Sequence, residues 1–363
     1  MRVNRASILR LLELVRPGIA VRELVEQSSC LVFHEGKVIT FNDEIACVVD
    51  FPVPIEGAVK AKPVLDLLQK LDDDEVEIEG AGSELKIKGR MRKASFTMES
   101  NVMLPIESID RPTEWFATSL ELEDALRVVT PCASKEESQF TLTCVHIHPA
   151  YLEACDRFQM ARYRTEIGVK NEMLVRAESL QQVVGLGVKE VAESPAWLHF
   201  RNKDGLVISF RRYIEEYVKL DHFLETENMS PVSLPGGIDK IVGRAEIFSG
   251  ENALGNNVLV DLTKNRIVIK GEGVIGWYKE MQKVEYDGPP FRFLIQPQLL
   301  IEVSKKAKSC GVLGDRLMVQ ADRFSYLTCT TVPDDKEKDE DYQMSSVEKQ
   351  QQGAVESTDD IPF

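Results

Sequence analysis

The sequence predicts an α+β chain of three similar units in tandem, each with two helices packed on antiparallel sheet. Two observations predict it. One helical pattern recurs three times, as V-K-A-K-P-V-L-D-L-L (59–68), V-R-A-E-S-L-Q-Q-V-V (175–184) and I-Q-P-Q-L-L-I-E-V-S (295–304), at offsets of 116 and 120 residues. Each copy opens on a β-branched residue, has a small residue or proline two later, and then places apolar residues at helical spacing. Around each copy, short segments alternate apolar and polar residues between Gly, Asn and Asp turns, which is the strand and hairpin pattern.

The elements follow in order. The first helix is N-R-A-S-I-L-R-L-L-E-L-V-R-P-G (4–18), with Asn4 as its cap and Pro17-Gly18 as its stop. C-L-V-F-H-E-G-K-V-I-T-F supplies a strand pair, the repeated helix follows, and E-V-E-I-E-G with E-L-K-I-K-G close the unit. The second unit opens on S-L-E-L-E-D-A-L-R-V-V. It continues through T-C-V-H-I-H-P-A-Y-L-E-A-C and, after the repeated helix, ends in W-L-H-F-R-N and G-L-V-I-S-F. The third runs from G-I-D-K-I-V-G-R-A-E-I-F through N-V-L-V-D-L-T-K-N-R-I-V-I-K to R-L-M-V-Q-A and F-S-Y-L-T-C. Proline-punctuated turns near 107–115 and 226–232 set expected domains of 1–112, 113–228 and 229–333. Residues 334–363 read as an acidic, disordered tail with a hydrophobic tip.

The bulk numbers suit this plan. With 363 residues, 43% hydrophobic and 28% charged, the chain is long enough for two or three domains. No run approaches a membrane span, and Arg10 and Glu13 interrupt the N-terminal apolar stretch, which argues against a signal peptide. Seven scattered cysteines without a C-x-x-C predict free thiols in a reducing cytoplasm. The net charge of −15 is weighted toward the tail, where ten acids and three lysines follow residue 333; the rest carries −8 and can still present a basic face.

Basic residues mark all six predicted helices. They are Arg5, Arg10 and Arg16, then Lys60, Lys62 and Lys70, then Arg127, then Arg176 and Lys189, then Lys240 and Arg244, and finally Lys305, Lys306 and Lys308. Glu75, Glu77, Glu79 and Asp261 fall on strands instead. Basic helices beside acidic strands suit a surface that attracts phosphate without reading base sequence. Glu13, Asp66, Glu121 and Glu123 dilute the pattern.

The ordered threefold pattern, with L-L-E-L-V-R-P-G-I-A (11–20), P-V-P-I-E-G-A-V-K-A-K (52–62) and E-A-C-D-R-F-Q-M-A-R (153–162), resembles the bacterial-type DNA sliding clamp, the beta subunit of the replicative polymerase, over residues 1 to 333. The resemblance implies a ring of two chains head to tail, with helices lining a hole for duplex DNA. It implies no catalysis, no cofactor, and partners that include the polymerase, other clamp-binding peptides and a clamp loader. It also implies a partner pocket between the second and third domains, carried here by Leu142, Cys155, Phe158, Met160, Val218 and Phe223. The chain departs from the family at Arg157-Phe158-Gln159, at Val218 where a proline is usual, and at C-T-T-V-P (329–333), after which it continues. The alternative is a clamp-fold scaffold or inhibitor that sequesters replication proteins without enclosing DNA.

The tip Asp359-Asp360-Ile361-Pro362-Phe363 resembles the C-terminal tip of bacterial single-stranded DNA-binding proteins, which implies recruitment of proteins that recognise such tips. A second possibility is that it folds back into the chain's own pocket. Two further strings are set aside. Gly271-Glu272-Gly273-Val274-Ile275-Gly276 matches a dinucleotide fingerprint but sits between strand-like segments. His146 and His148 share a strand face with no third ligand at a sensible spacing.

Overall fold

A computed structural model of the chain describes residues 1–110, 112–224, 229–250, 256–307 and 309–329. The first unit runs β1 (Arg2–Asn4), α1 (Arg5–Leu14), β2 (Cys30–His34), β3 (Lys37–Phe41), β4 (Ile45–Asp50), β5 (Gly57–Lys60), α2 (Ala61–Lys70), β6 (Glu75–Ala81), β7 (Glu84–Lys88) and β8 (Lys93–Glu99). The second repeats this order: β9 (Phe116–Ala117), α3 (Leu122–Val129), β10 (Cys144–His148), β11 (Tyr151–Cys155), β12 (Gln159–Arg164), β13 (Met173–Arg176), α4 (Ala177–Leu180), β14 (Val188–Glu193), β15 (Trp197–Asn202) and β16 (Val207–Arg211). The third repeats it again: β17 (Ser230–Ser233), α5 (Ile238–Glu246), β18 (Val258–Thr263), β19 (Arg266–Gly273), β20 (Gly276–Lys283), β21 (Phe291–Ile295), α6 (Pro297–Lys306), β22 (Ser309–Leu313), β23 (Arg316–Gln320) and β24 (Phe324–Cys329).

Local chemistry explains the helix ends. Asn4 Oδ1 accepts the Ser7 N–H at 2.9 Å, which caps α1. Lys60, Arg176 and Gln296 occupy the same place in the three units, extended at ψ 122°, 129° and 132°, so each strand feeds its helix without a loop. One helix differs from the sequence expectation. The pattern over 175–184 predicts a full helix, whereas α4 has a single turn followed by a 3-10 turn over Gln181–Val183. Gly185 and Gly187 take φ +90° and +61°, and the Glu123 carboxylate accepts both of their N–H groups at 3.1 Å, so a left-handed loop captured by α3 ends the helix early.

Alternation also under-reported the strands. Two pairs per unit were expected, and each unit has eight strands. Those missed include the edge strands β1, β9 and β17 and the largely polar β8 and β20, where burial does not impose an apolar face.

Two joints tie the units through continuous sheet. β4 pairs β16, with Val48 opposite Val207 and Ile45 opposite Phe210. β12 pairs β24, with Gln159 opposite Thr328 and Tyr163 opposite Phe324. The main core lies between the helices and one face of the sheets. The opposite, outer face carries a separate apolar cluster at each joint. At the first joint Trp197 from β15 packs with Val32, Phe41 and Ala46, its ring 6.0 Å from Phe41, under Leu104 from the connection to the second unit. At the second joint Cys144, Cys155, Met160, Met318 and Leu327 cluster under Tyr217, Leu220 and Phe223 from the connection to the third.

Candidate nucleic-acid interface and partner groove

The expected contrast of basic helices beside acidic strands is not found: the helices are near neutral, and the strands hold eighteen basic side chains against twelve acidic ones, because the excess acid lies in the connections and beyond residue 333. Nine basic side chains stand against eight acidic ones within the six helices, while the chain as a whole carries −15. Each expected phosphate-facing residue has a definite place. Arg5 is structural: its guanidinium donates to the Leu68 and Asp73 carbonyls at 2.9 Å, which satisfies the end of α2. Arg10 pairs with Asp204 at 2.6 Å and Arg16 with Glu13 at 3.3 Å. Lys60 bonds Glu23 and Ser29, and that pairing holds the Glu23 carboxyl down to about 2.

Arg127 lies 4.0 Å from Glu123, and Arg176 pairs with Glu137 beside the Phe140 ring. Arg244 meets Glu280 at 2.6 Å, Lys305 meets Glu302 at 2.8 Å, and Lys306 reaches Asp124 at 3.4 Å across the second joint. Lys62, Lys70, Lys189 and Lys240 are exposed and make no ion pair with a described residue; Lys189 lies on β14 rather than a helix. Lys308 lies outside the described residues. Exposed ion pairs of this kind are worth about 0–1 kcal/mol, so a phosphate can exchange for the carboxylate at little cost.

The partner residues lie on the outer face of the second joint. Strand alternation puts Cys155 on β11 and Met160 on β12 on that face, both buried, opposite each other in register. Leu142 and Phe223 pack against the same cluster at its partly open edge. Phe158 and Val218 stand apart from it in solvent, 56% and 44% exposed. Phe158 is held at the tip of the β11–β12 hairpin because Asp156 Oδ1 accepts its N–H at 2.7 Å and that of Gln159 at 2.8 Å. Met318, Leu327 and Tyr217 belong to the same buried cluster and were not singled out from sequence. Alternation in R-L-M-V-Q-A and F-S-Y-L-T-C marks strands, yet it does not say which face meets which neighbour.

A buried polar network pins the covering segment. Arg162 donates to Glu153 Oε2 at 2.7 Å and to Asp221 Oδ1 at 2.6 Å, with its guanidinium 4.4 Å from the Tyr151 ring. That donation holds the Asp221 carboxyl below its ordinary range. The Tyr217 hydroxyl accepts the Cys155 N–H at 3.0 Å, and its ring stacks on His146 at 5.1 Å. His146 and His148 face Glu153 and Glu172 in this network, and among the described residues no group of three or more ligands is placed to hold a metal.

The glycine string also has a packing role. Gly271 and Gly273 lie on β19 under α5, where a Cβ would fall 1.9 Å from the Ala245 carbonyl oxygen and 2.4 Å from that of Phe248. No described helix is long and apolar enough to cross a membrane. The tip residues Asp359, Asp360, Ile361, Pro362 and Phe363 lie outside the described residues.

No protein-family model matches the chain, and no curated protein does. Solved structures do. The chain is similar to a DnaN sliding clamp (DNA polymerase III subunit beta) from Pseudomonas aeruginosa bound to griselimycin, at TM-score 0.70 and 13% identity, over 92% of this chain and 99% of that one. A putative DNA polymerase III beta subunit from Eubacterium rectale aligns at TM-score 0.69 and 14% identity, covering 91% and 98%. The beta subunit from the DNA polymerase of Streptococcus pyogenes aligns at 0.67 and 17%, covering 92% and 99%. With its threefold element order and its two sheet joints, the chain has the fold of the bacterial DNA polymerase III beta sliding clamp.

Proposed function

We propose that the chain is a DNA sliding clamp, a processivity factor that encloses duplex DNA as a head-to-tail pair and holds replication proteins through the groove at its second joint. The observation that carries this reading is an unfinished third joint. β4 and β12 each receive the last strand of the following unit, and their counterpart β20 pairs only with β19 among the described residues. The counterpart of β16 and β24 is β8, which pairs β7 along Lys93–Thr97 and β5 only at Met98–Glu99, so that the other side of Lys93–Thr97 has no strand partner among the described residues. On the outer face of β20, Trp277 and Met281 are 64% and 61% exposed, where the corresponding faces of β4 and β12 are covered. Two chains supply each other's missing joint and cover these two edges.

In this reading domains 1–112, 113–228 and 229–333 form a ring of six units. The near-neutral helix layer faces DNA through weak contacts that do not stop sliding, and the chain performs no chemistry. A polymerase, other clamp-binding peptides and a clamp loader are its partners in the cytoplasm, and the 334–363 tail recruits proteins that recognise single-stranded DNA-binding protein tips. The test is native mass by light scattering, followed by retention on DNA. A clamp gives about 82 kDa, twice the 40.9 kDa of one chain, and stays on closed circular DNA but runs off after linearisation. A stable 40.9 kDa species, or retention indifferent to linearisation, overturns it.

A further inference from the structure

We infer that the chain's own C-terminal segment, Asp359–Phe363, docks in the outer-face groove at the second joint and competes there with client peptides. This rests on reading that groove as a peptide site. The last described strand, β24, contributes Leu327 and Cys329 to the groove, so the tail starts from the wall of the site it is to fill. The Cys329 N–H donates to the Phe158 carbonyl at 2.7 Å, which places the point of departure beside the exposed Phe158 ring.

Twenty-nine residues separate Cys329 from Asp359. A coil of that length averages about 30 Å end to end, enough to turn back, and holds its far end at a local concentration on the order of 1 mM. The chemistry matches as well. Ile361 and Phe363 are bulky apolar groups for a surface opened by Leu142, Phe223 and Cys329. Asp359 and Asp360 precede them, and the rim carries Arg316, with its guanidinium 5.3 Å from the Phe223 ring, and exposed Lys219 and His222, but also exposed Glu215, Glu216, Asp221 and Asp315, so the apolar pair rather than charge carries the docking. Arg316 meets Asp315 only at 3.8 Å, a loose pairing that an incoming carboxylate can replace.

A client that takes the groove thereby releases the tip, so occupancy of the groove and availability of the tail are opposite states of one switch.

The test titrates a labelled synthetic peptide, A-V-E-S-T-D-D-I-P-F (354–363), into the full chain and into a variant ending at Thr358. The expected result is binding to the shortened variant that weakens about tenfold in the full chain, where the tethered copy competes. The double substitution Ile361→Asp/Phe363→Asp in the full chain restores binding to the level of the shortened variant. Phe223→Ala in the shortened variant weakens it. No binding to the shortened variant overturns the inference. Equal binding to both proteins, or tail-dependent capture only of a protein that recognises single-stranded DNA-binding protein tips, also overturns it. Native mass and DNA retention read the clamp assignment separately, so either conclusion can fail while the other stands.

Discussion

Arg162 shows how one side chain holds the second joint together. Its partner Glu153 is 2% exposed, and besides Arg162 the carboxylate meets the His146 ring, with no other Lys or Arg pairing with it among the described residues. Arg162→Ala leaves the carboxylate buried without its cation, at an expected cost of about 3–5 kcal/mol. Urea unfolding checks this. Arg162→Met combined with Glu153→Gln recovers most of the loss, because both charges leave together, and a loss below about 1 kcal/mol for Arg162→Ala alone refutes the account. His199 makes a second prediction at this scale. It is 1% exposed between Ser194 and Ser209, hydroxyls at 2.9 and 2.7 Å, and burial lowers its pKa to about 4. The unfolded chain takes up a proton near pH 6.5 and the folded one does not until about pH 4. Its contribution to stability is therefore complete above pH 6.5 and is lost as pH falls from there to about 4. His199→Gln flattens that part of the stability–pH curve, and an unchanged slope counts against it.

At the scale of elements, α5 on β19 explains a motif that the sequence makes look functional. Gly271 is there because the Ala245 carbonyl leaves no room for a side chain, and Gly273 sits under the Phe248 carbonyl in the same way. Gly271→Ala pushes α5 off its sheet at an expected cost of about 1–3 kcal/mol, read as a lowered Tm. A neutral effect on Tm removes the packing explanation. The capped α1 and the strand-fed α2 and α6 were legible because their signals are local: Asn4 three residues before Ser7, and a β-branched residue leading into Ala61 or Pro297. The single-turn α4 was not, because Glu123 on α3, 62 and 64 residues away in sequence, captures the loop that ends it.

For the whole molecule, the decisive feature is the pair of open edges. Trp277→Asp/Met281→Asp changes only exposed side chains of β20, so the monomer's fold and its far-UV circular dichroism stay as they are. On the clamp reading, the mass in light scattering shifts from about 82 kDa toward 40.9 kDa, and DNA retention is lost with it. A pair that persists at low micromolar concentration places the interface elsewhere. What the sequence determined by itself was the repeat, the order of the six helices and the extent of all but the fourth, and the presence of basic residues around them. Periodicity and caps are written within a few residues of where they act. What only the tertiary structure decided was which strand faces which. The β4–β16 and β12–β24 ladders join residues some 160 positions apart, and period-two alternation marks two faces without saying which is covered. The apolar cluster at the second joint follows from those ladders, because Met160, Met318 and Leu327 meet only once the second and third units share a sheet. The neutralising partners of Arg10 and Lys60 were hidden for the same reason: Asp204 and Glu23 reach them through the fold, not along the chain.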